Sequence, residues 1–180
     1  KGSPFIVDTG ISTYEKNDRR LFERSTVSHN SVSIDEKNSS DVWSGFRVGR
    51  RAHVELLEEE GLVRASHNGY KDCVVSRTWL KDDNDNLIIF DKVETSNIEK
   101  RGLIKGRLHF HPDVSLQFYN NSILKVGKEL LIEFNSLLAE IPQIEFEEYN
   151  YAQGYNNLRQ AKLVSYSFIN QMTITIREAN

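Results

Sequence analysis

The sequence contains one cysteine and no long apolar run. Cys73 cannot form a disulfide within the chain, so the fold does not depend on an oxidising compartment. No stretch approaches the roughly 20 apolar residues that a membrane-spanning helix needs. Residues 1–10 also lack the apolar segment of a signal peptide. The composition therefore predicts neither a disulfide-bonded scaffold nor a membrane span.

A surplus of basic residues is also missing. The 23 Lys and Arg residues stand against 26 Asp and Glu residues, which gives a formal net charge of −3. Proteins that bind nucleic acid concentrate positive charge on one surface, so we predict no nucleic-acid partner. A polyanion that needs only a local basic patch stays compatible with these totals.

Sustained helical periodicity is nearly absent, and short strand patterns replace it. Runs typical of strands include "SVSID", "DCVVSRTWLK", "NLIIFDKVE", "AKLVSYSF" and "MTITIRE". Turn residues separate such runs, notably at 81–86, 120–121 and 126–128. This spacing predicts an all-β fold, an antiparallel two-sheet β-sandwich with few or no helices.

The length favours a single domain. We find no internal repeat or low-complexity linker in the 180 residues, so we predict one domain over residues 1–180. The chain opens abruptly on the strand-like "PFIVD", as though cut from a longer protein. Residues 128–141 permit a helix or a strand, and the run "LLIEF" favours the strand.

A histidine and an asparagine stand together in residues 20–35, "RLFERSTVSHNSVSID", which otherwise indicate a strand. In an extended strand His29 would share a face with Val27 and Ser31. Histidine can exchange a proton near neutral pH, and Asn30 could hold a substrate oxygen or orient the imidazole. A histidine merely held by hydrogen bonds in a strand is the plainer interpretation.

Six arginines lie close together in the sequence: Arg19, Arg20, Arg24, Arg47, Arg50 and Arg51. Guanidinium groups bind carboxylates and sulfates with two prongs, which would suit an acidic sugar. The neighbouring acidic residues Glu15, Asp18 and Glu23 instead indicate ordinary surface charge, and the sequence by itself favours that explanation.

A second His-Asn pair occurs in residues 65–72, "ASHNGYKD". Gly69 permits a turn, and the Tyr70 phenol could act as an acid or stack on a sugar. A turn without chemistry explains these residue types equally well.

Two further histidines stand in "RLHFHPD", residues 107–113. On a strand His109 and His111 project from the same face, an arrangement that a zinc ion can use. Residues that could complete such a site are His67, Asp91 and Asp113. Because no CxxC or HExxH motif accompanies them, polar packing is the plainer interpretation.

Five segments in order carry a resemblance to a known family: "IVDTGISTY", "ERSTVSHNSVSID", "WSGFRVGRRA", "ASHNGY" and "RLHFHPDV". Together they resemble the C-terminal β-sandwich domain of the heparinase II/III-like polysaccharide lyases, a family that includes alginate and oligoalginate lyases. The most specific part is R-S-T-x-x-H-N-[ST]-V with the preceding D-x-G-x-x-x-Y. The resemblance covers nearly the whole chain.

The resemblance implies a two-part enzyme that cleaves acidic polysaccharides or oligosaccharides. An N-terminal α/α toroid of helices, absent from this chain, would pack against the sandwich with the substrate cleft between them. The implied reaction is β-elimination, in which a uronic acid loses its C5 proton and the glycosidic oxygen leaves C4. Hydrogen-bond donors must first neutralise the carboxylate, and a base and an acid then move protons.

The resemblance also implies roles for individual residues. It places His29 and Tyr70 among the catalytic groups, with His29 as base or carboxylate neutraliser. It assigns substrate binding to Arg24, Asn30 and Arg51. The reaction requires no cofactor.

Some members hold a structural zinc in the sandwich, for which His67, His109 and His111 are the candidates. This sequence departs from the H-x-R pattern of relatives, because Val75 replaces the histidine while Arg77 is kept.

Two functions follow as expectations. The first is the sandwich portion of a polysaccharide lyase, inactive without its toroid. The alternative is a non-catalytic module that binds or scaffolds glycans in surface-polysaccharide metabolism. Aromatic residues that could stack on sugars in either case are Tyr14, Trp43, Phe46, Tyr70 and Trp79. The family suggests a bacterial periplasm or cell envelope, with the cytoplasm as the other possible location.

Overall fold

The computed structural model describes residues 3–96, 102–136 and 142–179. Within these residues a helix α1 (Asp18–Glu23) and a 3-10 turn (Thr26–Ser28) precede the strands. The strands in chain order are β1 (Val32–Ile34), β2 (Val42–Trp43), β3 (Arg47–Val48), β4 (Val54–Glu59), β5 (Leu62–Tyr70), β6 (Cys73–Lys81), β7 (Leu87–Thr95), β8 (Ile104–His109), β9 (Leu116–Phe118), β10 (Ile123–Val126), β11 (Leu130–Ser136), β12 (Gln143–Gly154), β13 (Asn157–Phe168) and β14 (Gln171–Glu178). None of the described helices is long and apolar enough to cross a lipid bilayer.

The strands form two antiparallel sheets and a short hairpin. The larger sheet has the order β4-β5-β6-β7-β14-β11-β10-β9, and the smaller has the order β1-β8-β13-β12. Strands β2 and β3 pair with each other. Buried side chains from both sheets form one core cluster, which confirms the predicted all-β sandwich.

Alternation along the strands selects the core residues. In β14 the side chains of Met172, Ile174 and Ile176 are buried, and the residues between them are partly exposed. Val164 and Tyr166 on β13 are fully buried and come from the opposite sheet. Since successive side chains of a strand point to opposite faces, one face of each sheet builds the interior.

The predicted turns connect strands as expected. Asp82 accepts hydrogen bonds of 2.9 Å from the backbone N–H groups of Asn84 and Asn86, which closes the turn between β6 and β7. The ambiguous segment forms strand β11 up to Ser136, so the strand prediction is confirmed there. Residues 137–141 of that segment lie outside the described part of the chain.

The prediction of one strand through residues 20–35 is wrong. The Asn17 side chain accepts the Arg20 N–H at 2.9 Å and caps α1, and the 3-10 turn follows. Only the three residues of β1 are extended and paired. His29 therefore follows a turn and does not alternate along a strand as predicted.

Residues 5–7 pair with the edge of β8 through an antiparallel bridge between Ile6 and Phe110, and residues 8–12 lead on to β12. The Val7 N–H donates to the His109 carbonyl at 2.9 Å, and the Ala152 N–H donates to the Thr9 carbonyl at 2.8 Å. The segment thus runs from β8 to β12. His109 and Leu163 alternate with core residues and so point to the outer face, yet both are buried. We call this segment, residues 5–12, together with α1 and the β2–β3 hairpin, the N-terminal layer.

Strand β4 lies at the edge of the larger sheet. All six of its residues, including Leu56 and Leu57, are exposed. The larger sheet has eight strands and the smaller has four, so the two layers differ in width.

Gly106 on β8 permits the close approach of the Tyr166 ring, because a Cβ at this position would overlap the ring. We expect Gly106→Ala to destabilise the domain by about 1–3 kcal/mol through overpacking. Thermal denaturation measures the effect. Gly154→Ala is the matched control, since its Cβ would meet nothing within 4 Å. Equal melting temperatures for the two variants would contradict this expectation.

Candidate active site

An exposed carboxylate–imidazole pair lies where the N-terminal segment meets the turn before β1. Oδ2 of Asp8 is 2.7 Å from Nδ1 of His29, and the two side chains are 51% and 44% exposed. In a neutral imidazole this contact assigns the proton to Nδ1 and leaves the lone pair on Nε2. An oriented, accessible imidazole of this kind can act as a general base.

Local hydrogen bonds orient the Asp8 carboxylate. The Gly10 N–H donates to its Oδ1 at 3.0 Å, and Gly10 adopts a φ of +78° that favours glycine. Burial by itself would raise the pKa of the Asp8 carboxyl, but the hydrogen bonds from His29 and Gly10 lower that pKa below its usual value. The carboxylate is therefore charged at neutral pH and can stabilise a protonated His29.

Asn30 uses both ends of its amide within the protein. Its Nδ2 donates to the Val7 carbonyl at 2.9 Å, and its Oδ1 accepts the His109 N–H at 2.7 Å. The same Oδ1 lies 3.2 Å from Nδ1 of His109. The geometry supports a positioning role beside His29 and gives no support to the predicted substrate contact.

His109 is fully buried and packs edge-on against Tyr149, with ring centroids 4.8 Å apart. Burial lowers its pKa to about 4, so the imidazole is neutral at physiological pH. Its Nε2 has no hydrogen-bond partner among the described residues. His109 therefore carries no positive charge that could pair with the Asp8 carboxylate in place of His29.

Arg24 and Arg51 have different surroundings. The Arg24 guanidinium donates to the Ser44 and Arg47 carbonyls, each at 3.0 Å, and so fastens the β2–β3 hairpin. Arg51 is exposed just after that hairpin. Of these two predicted substrate contacts, Arg51 is the more exposed residue.

Tyr70 is 8% exposed at the end of β5. Its phenol donates to the Lys37 carbonyl at 3.1 Å and lies 3.4 Å from the Val32 carbonyl. Burial raises the pKa of the phenol. These contacts support a structural role for Tyr70 and give no support to the predicted catalytic one.

The three histidines predicted to hold zinc do not come together. His109 and His111 share a face, as predicted, and pack against Tyr149 and Tyr151. His67 lies on β5 of the other sheet. Among the described residues, no three His, Cys, Asp or Glu side chains form a group that could hold a metal ion. The residues present thus do not fit the predicted zinc site.

A buried polar network that the residue patterns did not predict lies beneath this region. Arg77 donates to the two carboxylate oxygens of Asp91 at 2.6 and 2.8 Å and to the Tyr166 hydroxyl at 2.9 Å. It also donates to the Asn30 carbonyl, next to His29. Arg77 and Asp91 face each other across β6 and β7. The contact could have been predicted from the sequence, because a hairpin with its turn at residues 81–86 pairs position 77 with position 91.

One family model, described as Heparinase II/III-like, C-terminal, matches residues 1–177. No curated protein sequence gives a match. Several solved structures are similar. Heparan sulfate lyase HepC from Pedobacter heparinus has a TM-score of 0.72 at 16% identity, over 100% of this chain and 29% of that one. A heparinase III gene product with methylated lysines has a TM-score of 0.75 at 16% identity, over 99% and 28%.

The structural similarity shows that the folds agree, and the chain spans less than a third of the length of those structures. The family match carries the assignment, because it extends over nearly all 180 residues. It also confirms the resemblance found in the motifs. The chain therefore belongs to the heparinase II/III-like family, whose C-terminal domain its sequence matches.

Proposed function

We propose that this chain is the β-sandwich portion of a polysaccharide lyase that cleaves uronic-acid-containing glycans by β-elimination. The family supports the lyase class, and one structural relative is a heparan sulfate lyase by name. The observation that carries the proposal is the exposed Asp8–His29 pair with its 2.7 Å contact. We place this pair at the edge of the substrate cleft.

In the proposed reaction Nε2 of His29 takes the C5 proton of a uronate. The electrons of the C5–H bond form the C4–C5 double bond as the C4–O bond breaks. The leaving oxygen then takes a proton from an acid outside the described residues. Asp8 stabilises the imidazolium formed in the first step. The exposed Arg51 is the proposed partner of the uronate carboxylate, whose charge must be offset.

We propose that an N-terminal α/α toroid of helices supplies the opposite wall of the cleft. Catalytic groups act as a unit, and losing one wall removes the positioning that makes them effective. The sandwich by itself is then inactive. The scheme uses no cofactor, and the proposed location is a bacterial periplasm or cell envelope.

The test compares the 180-residue chain with a longer protein that includes the helical region. Heparan sulfate, alginate and hyaluronan are supplied separately, and the absorbance of 4,5-unsaturated uronate is followed with time. We expect a rise with at least one glycan for the longer protein. We expect the chain by itself to match the buffer control. A folded longer protein that cleaves none of the three glycans, or an active isolated chain, would contradict the proposal.

A further inference from the structure

Three aromatic side chains form an exposed row beside the N-terminal layer: Phe46, Tyr14 and Tyr155. The Tyr14 ring lies 6.2 Å from Phe46 and 6.3 Å from Tyr155, with interplanar angles of 13° and 20°. The three residues are 55–63% exposed. These separations lie toward the long end of the range for aromatic pairs, so the rings are offset and cover little of one another. We call this set the aromatic row.

Arg20 supports the row from inside. Its Cζ lies 5.6 Å from the ring centroids of both Tyr14 and Phe46. Arg20 is itself buried, and its Nε donates to the Gly45 carbonyl at 3.2 Å. A buried cation on one side of both rings fixes their orientation. Tyr14 and Phe46 nevertheless remain more than half exposed beside this buried guanidinium.

The fold assembles this row from three separate segments. Tyr14 belongs to the N-terminal segment, Phe46 to the β2–β3 turn and Tyr155 to the β12–β13 turn. The Asn156 N–H donates to the Ser12 carbonyl at 2.8 Å, which fastens the last of these turns to the first segment. A single exposed aromatic residue needs no explanation, but a contiguous apolar surface built in this way indicates binding.

We propose that the aromatic row is a binding site for a sugar chain, whose pyranose rings lay their apolar C–H faces on the exposed aromatic rings. Tyrosine and phenylalanine rings provide flat contact area at low cost in conformational entropy. The tyrosine hydroxyls add partners for sugar hydroxyls. The acidic nature of the sugar chain rests on the proposed function, whereas the row itself rests on its geometry.

Ring contact carries the binding, because the exposed charges nearest in sequence are of both signs: Lys16, Arg47, Glu15 and Asp18. Their mixture offers no concentrated field to an anion. Binding at the row should therefore depend weakly on salt, unlike binding at a basic patch. The open, nearly parallel ring faces favour a sugar over a protein partner, which needs closely packed contacts.

The test measures binding of size-defined oligosaccharides to the 180-residue chain by calorimetry. Heparan sulfate and alginate oligosaccharides are the acidic ligands, and cello-oligosaccharides are the neutral comparison. We expect the double variant Tyr14→Ala, Phe46→Ala to bind an acidic ligand about tenfold more weakly. Tyr119→Ala is the matched control, because Tyr119 is a 74% exposed tyrosine near β9, outside the row. It should bind like the unchanged chain.

Tyr155→Leu is a milder second variant, which keeps an apolar side chain and removes the flat ring. It should also weaken binding, and its melting temperature checks that it folds. Undetectable binding or equal binding by all variants would overturn the proposal. Ring-dependent binding of the neutral ligand only would support the row as a sugar site and would contradict the acidic ligand. Binding by the chain but not by the longer protein would also overturn the proposal, because the row would then be a surface that the rest of the protein covers.

Binding and cleavage are read separately, so their failures can be told apart. If the longer protein cleaves uronate glycans and the row variants bind normally, the proposed sugar site is contradicted and the proposed lyase function is supported. If binding depends on the rings but the longer protein cleaves no glycan, the proposed sugar site is supported and the proposed lyase function is contradicted.

Discussion

Replacing His29 by alanine in the longer protein is expected to lower the rate of glycan cleavage by about 10²–10⁴-fold, the usual contribution of a general base. The imidazole is exposed and oriented by Asp8, so its loss removes the proposed acceptor of the C5 proton. Asp8→Asn should cause a smaller loss, because the imidazole remains while its imidazolium is less stabilised. Initial rates from the absorbance of the unsaturated product measure both effects.

His53→Ala is the control for this experiment. His53 is another exposed histidine, whose side chain is 75% exposed and 3.9 Å from Glu55. Its removal should change the cleavage rate by no more than about twofold. Surface substitutions away from a functional site usually have effects within about ±0.5 kcal/mol. Full activity of a folded His29→Ala variant would contradict the proposed base. That result would favour a glycan-binding module or a domain that only buttresses its partner.

Metal analysis of the same proteins separates proton transfer from metal binding. The donor atoms of Asp8 and His29 lie 2.7 Å apart, and both residue types bind metals in proteins. A loss of activity together with the loss of a bound metal would identify the pair as metal ligands, completed from outside the described residues. Unchanged metal content together with a slow reaction would support the base.

The largest expected effect on stability comes from Arg77→Met, at about 3–5 kcal/mol of unfolding free energy, as for breaking a buried pair. Asp91 is fully buried, and it would lose the guanidinium that contacts both of its oxygens. The Asn30 carbonyl would also lose a donor. Urea unfolding monitored by circular dichroism measures the difference. The double variant Arg77→Met, Asp91→Asn should regain part of the loss, because no buried carboxyl group is then left without its partner.

Arg159→Met is the matched comparison for this prediction. Arg159 donates to Asp113 at 2.6 Å, as close as the Arg77 contact, but the two side chains are 38% and 65% exposed. An exposed ion pair contributes about 0–1 kcal/mol. Similar losses for Arg77→Met and Arg159→Met would show that burial does not govern the strength of the Arg77 pair.

The fold could be predicted from the sequence because its determinants are local. Two-residue alternation in β14 and the Asp82 turn each depend on a few neighbouring residues. The same reasoning failed at residues 20–35, where alternating residue types concealed a capped helix. The Asn17 side chain stabilises the first turn of α1, and this capping contact has no counterpart in a pattern of apolar spacing.

The site was predicted less completely because its contacts join distant segments. His29 was found through a motif, but its partner Asp8 stands 21 residues away and is brought there by the segment that leads from β8 to β12. The histidine set failed for the same reason. Spacing placed His109 and His111 on one face, but it could not show that His67 belongs to the other sheet.

The open edge at β4 bears on how the protein behaves at high concentration. An unpaired strand offers its backbone to any other chain, and two copies could join there into a continuous sheet. Glu55, Glu58 and Glu59 lie along this strand beside Leu56 and Leu57, and all five are exposed. Two copies that approach through their glutamates repel each other before their backbones meet. Within the described part of the chain, negative charge along this one margin therefore opposes the joining of two copies at β4.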